Sequence, residues 1–372
     1  MTFAGSAIGT YAIERVAIRA GIVDVPNARS SHHVPKPRAG GVALAVPFFA
    51  AVFFLGSHSF LPLRVELALI GGGSGLVVLG LIDDFRSLPA SVRLLAHTLT
   101  AGFALFMLGG LPRVDFGLGP WDMGFAGNLM ALIGLVWLIN LTNFMDGTDG
   151  LAASEAVSTG LISGLLLWNA YPGLAAAWIT LAASASAFLL FNWCPARIFM
   201  GDAGSGFLGY TFGVLMLAGS RQRPVSLWIC LLMLGVFITD ATITVIRRAV
   251  DGCRVWESHR THAYQNAASR WGHAAVAAIV LLINCIWLAP LAYVAVLYPQ
   301  LGLVLLACGI APIALAVYLL GAGVSVSPLR PPRTQAGVSN SHEDSNYTKS
   351  TMLADDSSPH VDMPYSGVPP SN

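Results

Sequence analysis

The aspartates of this chain gather where long apolar runs stop. Asp83 and Asp84 end the run 66–82, with Leu88, Arg93 and Leu94 following. Asp146 and Asp149 stand three apart in Asn140-Leu-Thr-Asn143-Phe-Met-Asp146-Gly-Thr-Asp149-Gly150. On a helix that spacing shares one face, although Gly147 can open a turn instead. Asp202 precedes a Gly-Ser entry to the next run in Met200-Gly201-Asp202-Ala203-Gly204-Ser205. Carboxylates suit hard cations and proton transfer, and a helix N-terminus beside them offers N–H groups to phosphate oxygens. An aspartate pair alone is more often a solvated helix end, and Asp202 or Ser205 alone a helix cap. Several such groups at the ends of very apolar runs point to function, because ionisable residues there are costly.

Two further stretches supply cations. His259-Arg260-Thr-His262-Ala-Tyr264-Gln265 lies in the loop 247–274. Its arginine suits a diphosphate, which guanidinium grips with a bidentate fork. Metal ligation by His259 and His262 lacks an evident third nitrogen ligand. The stretch 24–41 carries His32, Lys36 and Arg38. Pro35 and Pro37 favour extended backbone there, and Gly40 and Gly41 permit close approach. A basic loop of this kind also attracts anionic lipid.

The elements that position these residues must be membrane helices. Hydrophobic residues make up 55% of the 372 and charged residues 10%, against about 25% charged in soluble domains. A net charge of +1 gives no field for nucleic acid. The five cysteines show no paired spacing, so neither a disulfide framework nor a zinc site is expected. Glu14, Arg15 and Arg19 spoil a secretory signal. Apolar runs fall at 3–20, 40–56, 66–82, 94–111, 126–145, 151–170, 174–191, 204–220, 225–246, 275–297 and 302–322, each near the length that spans a bilayer. The expected fold is an all-α integral membrane protein with about 10–11 transmembrane helices in residues 1–322. The polar stretch 323–372 reads as a disordered tail. The first run is short and charged, which leaves room for a start further upstream.

Alternate linkers hold Arg29, Lys36, Arg38, Arg86, Arg93, Arg197, Arg247, Arg248, Arg254, Arg260 and Arg270, whereas the opposite set holds only Arg64, Arg113, Arg221 and Arg223. Lys and Arg favour the cytoplasmic face, so the richer set, the aspartate motifs and the tail are expected there. An inverted-repeat transporter is disfavoured by the lack of an internal repeat and by acids gathered at one face. An intramembrane aspartyl protease would need a glycine where Phe199 stands before Gly201-Asp202.

Taken together, residues 11–275 resemble the polyprenyl-phosphate N-acetylhexosamine-1-phosphate transferases, the MraY/WecA-type glycosyltransferase family 4. The resemblance rests on Asp83-Asp84, the block Asn140–Gly150, Met200–Ser205 and the motif His259–Gln265, in family order. The His-Arg-x-His-x-Tyr-Gln form is closest to the WbpL-like branch that initiates O-antigen. Ala39 and His97 depart from the family pattern, where a glycine and a glutamine are common. What the resemblance implies is a transferase of the bacterial inner membrane with a cytoplasmic active site, feeding lipopolysaccharide or related envelope glycans. Its substrates would be a UDP-N-acetylhexosamine and undecaprenyl phosphate, and a homodimer is compatible. Asp83 or Asp84 would be catalytic, and Asp202 with Asp146 would hold Mg²⁺ or Mn²⁺. Asn140, Asn143, Asp149, His259, Arg260, His262, Arg38 and His32 would bind substrate.

Overall fold

The computed structural model describes residues 1–21, 23–24, 35–221, 225–254 and 259–324. The expected site residue His32 and the tail beyond 324 lie outside the described residues. Helices dominate: α1 (Thr2–Ala20), α2 (Gly41–Ser57), α3 (Leu63–Phe85), α4 (Ala90–Leu108), α5 (Gly124–Met145), α6 (Leu151–Leu167), α7 (Pro172–Asn192), α8 (Asp202–Ser220), α9 (Val225–Met233), α10 (Gly235–Val250), α11 (Ala263–Trp271), α12 (His273–Leu297) and α13 (Gly302–Leu319). Two antiparallel two-residue ladders complete the described residues: β1 (Val23–Asp24) with β2 (Lys36–Pro37), and β3 (Val114–Asp115) with β4 (Pro120–Trp121).

Every apolar run of the sequence is helical, but the runs differ in how they meet the bilayer. Six helices, α3, α4, α5, α7, α12 and the last from Pro299 to Leu319, are long and apolar enough to cross. The pair α9–α10, bent by 70° at Leu234, makes a seventh if it counts as one span. Large side chains such as Phe53, Leu95, Phe106, Phe125, Leu165, Leu190 and Leu319 are exposed on the outside of the bundle. Water would not tolerate an apolar surface of that extent, whereas lipid solvates it. The chain is a multi-pass membrane protein.

The remaining runs are shorter or less apolar, for physical reasons. Helices α2 and α6 have 17 residues each, reaching about 25 Å where hydrocarbon spans about 30 Å. Helix α1 carries three charged residues, and Glu14 is held by Arg197 through bonds of 3.0 and 2.8 Å. Helix α8 is rich in glycine and serine, yet every residue from Ala203 to Ser220 is buried. Packed among α2, α3, α5 and α9, it is solvated by protein and needs no apolar exterior. It crosses α2 so closely that a Cβ on Gly41 would sit 2.1 Å from the Gly204 Cα. This contact puts the first turn of α8 against the β2–α2 junction, where Gly40 and Gly41 donate to the Phe199 and Met200 carbonyls.

Candidate active site

The start of α8 is where the chemistry collects. Gly201 precedes it at φ 73°, and a side chain there would meet Asp84 Oδ2 at 2.4 Å. Only glycine meets both demands. Asp84, near the end of α3, accepts from the Asp202 N–H at 3.0 Å and the Ala203 N–H at 3.5 Å. It therefore does what a capping side chain does, from another helix. Asp202 is thereby freed from capping its own helix. Its Oδ1 accepts from Asn143 Nδ2 at 2.8 Å, and the same amide donates to Ser205 Oγ at 3.0 Å. Asp83 is buried, accepts from Arg93 at 3.1 Å and hydrogen-bonds the Asp202 side chain. The same guanidinium lies 3.8 Å from Asp202 Oδ2.

Asp146 ends α5 beside this group. Burial raises its pKa well above the ordinary carboxylate range, and the charges of Asp202, Asp84 and Asp149 push the same way. Four carboxylates thus converge, and Arg93 answers only part of their charge. Two of them, Asp83 and Asp202, are in direct contact, which needs a proton or a cation between them. The donors are hard oxygens, with no thiol or imidazole among them, and that set fits Mg²⁺ or Mn²⁺.

Asp149 belongs to a different environment only three residues on. Its Oδ2 accepts from the Ala196 N–H at 2.9 Å and from Lys36 Nζ at 3.5 Å, and its Oδ1 lies 3.6 Å from His273 Nδ1. Burial pushes its pKa up, but His273, the Ala196 N–H and Lys36 outweigh that and bring it down to about 2. Lys36 in turn lies 5.2 Å above the Phe199 ring, in cation–π range. Cys194 approaches the same corner, so that Asp149, Cys194 and His273 bring ligand atoms within 4.8 Å of one another. Three separate segments supply them, which is why cysteine spacing gives no hint of the grouping. The hydrogen bonds already made by Asp149 and His273 account for it without an ion.

The histidine motif is built on a residue the sequence reading passed over. Asp240, buried within α10, accepts from the Ala263 N–H at 3.0 Å, the Tyr264 N–H at 2.8 Å and the Thr244 hydroxyl at 3.1 Å. It also lies 3.3 Å from His262 Nδ1. One carboxylate therefore holds both the first turn of α11 and the imidazole that opens it. The signal was present as a single acid inside an apolar run. The His259 ring stacks on His262 at 4.9 Å. Burial, with the nearby His262 and Arg248, lowers the His259 pKa to about 4, so it is neutral near pH 7. Tyr264 donates to the Phe144 carbonyl at 2.8 Å, tying α11 to the end of α5.

Three expected residues remain. Arg38 pairs with Asp24 at 2.8 Å and acts on Asp84 through space. Arg260 is exposed in its loop. Asn140 anchors to the Val136 carbonyl at 2.7 Å and hydrogen-bonds His97. A cavity of about 350 Å³, lined by Asn140, opens between α3, α4, α5, α8 and α10. Leu76, Leu79, Leu94, Ile133, Val136 and Trp137 wall one part of it, and Asp83, Arg93, His97, Asn140, Asn143 and Asp202 the other.

The sequence is similar to those of known proteins. A profile of glycosyl transferase family 4 matches residues 66–220, the segment that carries Asp83, Asp84, Asp146, Asp149 and Asp202. A probable undecaprenyl-phosphate N-acetylglucosaminyl 1-phosphate transferase of Bacillus subtilis (strain 168) is 31% identical over 263 residues, 68% of this chain and 72% of that protein. The chain belongs to glycosyl transferase family 4. Within the family, an undecaprenyl-phosphate alpha-N-acetylglucosaminyl 1-phosphate transferase of Yersinia pestis is 28% identical over 286 residues, covering 73% of this chain and 76% of that one. A decaprenyl-phosphate N-acetylglucosaminephosphotransferase of Mycolicibacterium smegmatis is 28% identical over 311 residues, 75% of each. The MraY/WecA-type membership expected from the motifs therefore stands, and membership makes the chain a phospho-sugar transferase.

Proposed function

We propose that the chain transfers N-acetylhexosamine-1-phosphate from a UDP-sugar to undecaprenyl phosphate and releases UMP, at the cytoplasmic face of a bacterial inner membrane. The cavity beside α8 carries this reading. It joins an apolar wall, suited to a prenyl chain, to a floor of carboxylates, Arg93 and amides, suited to phosphate. The relatives' names support a polyprenyl-phosphate acceptor. The form of the histidine motif favours the WbpL-like branch and lipopolysaccharide or related envelope glycans.

In this reading an oxygen of the lipid phosphate attacks the sugar-bearing phosphorus. The new P–O bond forms as the bridging P–O bond of the diphosphate breaks, and UMP leaves. Arg93, between Asp83 and Asp202, draws the lipid phosphate to the carboxylates. Asp83 accepts any proton the phosphate still holds. Asp149, with Lys36 and Phe199 beside it, orients the nucleotide, while His259, Arg260 and His262 take the diphosphate or the sugar. Asp202 and Asp146, with Asn143, would hold Mg²⁺, or Mn²⁺ in its place, which supplies charge neutralisation for the diphosphate. Most of the rate then comes from positioning and charge, because the acceptor is already largely dianionic at neutral pH.

The test is UMP release by the purified protein with and without undecaprenyl phosphate, across a panel of UDP-N-acetylhexosamines. Release that requires the lipid supports the reading. No lipid-dependent release from any donor would remove it.

A further inference from the structure

The proposed mechanism makes no use of Glu155, the least exposed carboxyl group among the described residues. Glu155, one turn into α6, is fully buried among apolar helices, as is Asn284 of α12. Asn284 Nδ2 donates to Glu155 Oε2 at 2.8 Å and lies 2.8 Å from the Ser158 hydroxyl. On its other side Glu155 lies beside Thr159, whose hydroxyl donates to the Met233 carbonyl at 3.4 Å. Met233 is the last residue of α9 before the 70° bend into α10. Asn284 sits in a π-helical turn, Ile283–Leu288, and Trp287 of that turn donates to the Gly309 carbonyl of α13 at 3.1 Å. Isolated π turns mark functional positions more often than chance, and acids inside a membrane bundle do the same.

The three elements gathered around Glu155 each lead to a residue assigned to substrate. Helix α6 follows directly on Asp149. Helix α12 begins with His273, which contacts Asp149 through its Nδ1. Helix α10 carries Asp240, which holds His262. We propose that Glu155 is a positioning residue for donor binding, latching α6, α12 and the α9–α10 bend so that Asp149, His273 and His262 keep their register. The inference rests on the assignment of the donor to the Asp149 corner. Packing alone would leave these helices free to slide, because lipid and side chains are equally apolar, whereas a buried hydrogen-bonded hub fixes their relative position.

The latch works through hydrogen bonds and shape, so Glu155→Gln should preserve it and Glu155→Leu should not. The experiment measures donor KM, acceptor KM and kcat on purified wild type, Glu155→Gln, Glu155→Leu, Asn284→Leu and the Glu155→Leu/Asn284→Leu double variant, with the thermal midpoint of each. Glu155→Leu should raise the donor KM on the order of tenfold, leave the acceptor KM near its wild-type value, and be rescued in Glu155→Gln. The double variant should be no worse than either single one, because both break the same contact. A donor KM unchanged in Glu155→Leu, whatever happens to its midpoint, overturns the inference. Equal defects in Glu155→Gln and Glu155→Leu overturn it too, since the charge and not the latch would then matter. If Glu155→Leu gives no folded protein, Asn284→Ser decides: its hydroxyl is too short to reach Glu155, and an unaltered donor KM would again refute the latch. Wild type without transferase activity would instead refute the proposed function.

Discussion

Asp202 and Asp240 are chemically the same group in opposite circumstances. Asp240 is enclosed by donors: two backbone N–H groups, a hydroxyl and an imidazole, within 2.8–3.3 Å. Asp202 shares its surroundings with Asp83, Asp84 and Asp146, and one guanidinium and one amide answer it. An acid whose donors are all supplied by the protein is scaffold. An acid facing other acids is complete only when something positive arrives. Activity should therefore be lost at both residues, but stability should move in opposite directions.

The largest effect belongs to the cluster. Asp202→Asn should lower turnover on the order of 10³-fold, with the thermal midpoint in metal-free buffer unchanged or higher, because a like charge is removed. EDTA should silence the wild type, and added Mg²⁺ should restore it. Substantial UMP release by Asp202→Asn, or by the wild type in EDTA, would remove the cation from the mechanism.

Asp240→Ala tests the other side. It strands the Ala263 and Tyr264 N–H groups, and each buried unpaired donor costs about 1–3 kcal/mol. The midpoint should drop, and kcat/KM should fall about 10–100-fold as His262 loses its anchor. If the midpoint is unaffected, Asp240 is not the scaffold its contacts suggest. Asp149 gives a third, smaller contrast. Its carboxyl is depressed to about 2 in the folded state, against about 3.9 in an unfolded chain. The folded state thus holds fewer protons between those values. The resulting stability, about 2–3 kcal/mol, is present above about pH 5 and is lost as pH falls toward 2. The midpoint difference between wild type and Asp149→Asn should therefore be constant from pH 5 to 7 and shrink below pH 4. A constant difference down to pH 3 would mean that the pairings of Asp149 contribute nothing.

These contrasts also explain what the sequence could and could not reveal. Composition and run length were enough for an all-helical membrane bundle, because lipid demands it. The site aspartates were legible because each interrupts an apolar run at its end. Their division of labour was not. Asp84 caps a helix 118 residues away in sequence, and no local spacing announces that. Asp240 and Glu155 lie mid-run, where their significance depends on which neighbours turn toward them. Lys36 and Arg93 were legible as cations beside their motifs, but not the carboxylates they pair with, since a cation's partner is a matter of three dimensions. Run length was also a poor guide to lipid contact: α8 looked like a span, but protein encloses it on every side.

Asp83 gives the smallest effect and the finest division. It touches Asp202 and Arg93, so it could serve as a base or complete the cation site. A base matters only while the acceptor phosphate carries a proton. With a second pKa near 6, that phosphate is about half dianionic at pH 6 and almost wholly so at pH 8.5. If Asp83 acts as a base, the activity of Asp83→Asn relative to wild type should rise about twofold across that range, measured at saturating donor with metal content checked at each pH. Asp202→Asn should show no such rise, because deprotonating the acceptor does not replace a missing cation. A flat ratio for Asp83→Asn excludes the base and leaves two roles, cation binding and nucleophilic attack by Asp83 itself. Incubation with labelled donor in the absence of lipid separates them. A nucleophile forms an acyl phosphate and releases UMP without acceptor, whereas a cation ligand leaves the protein unlabelled.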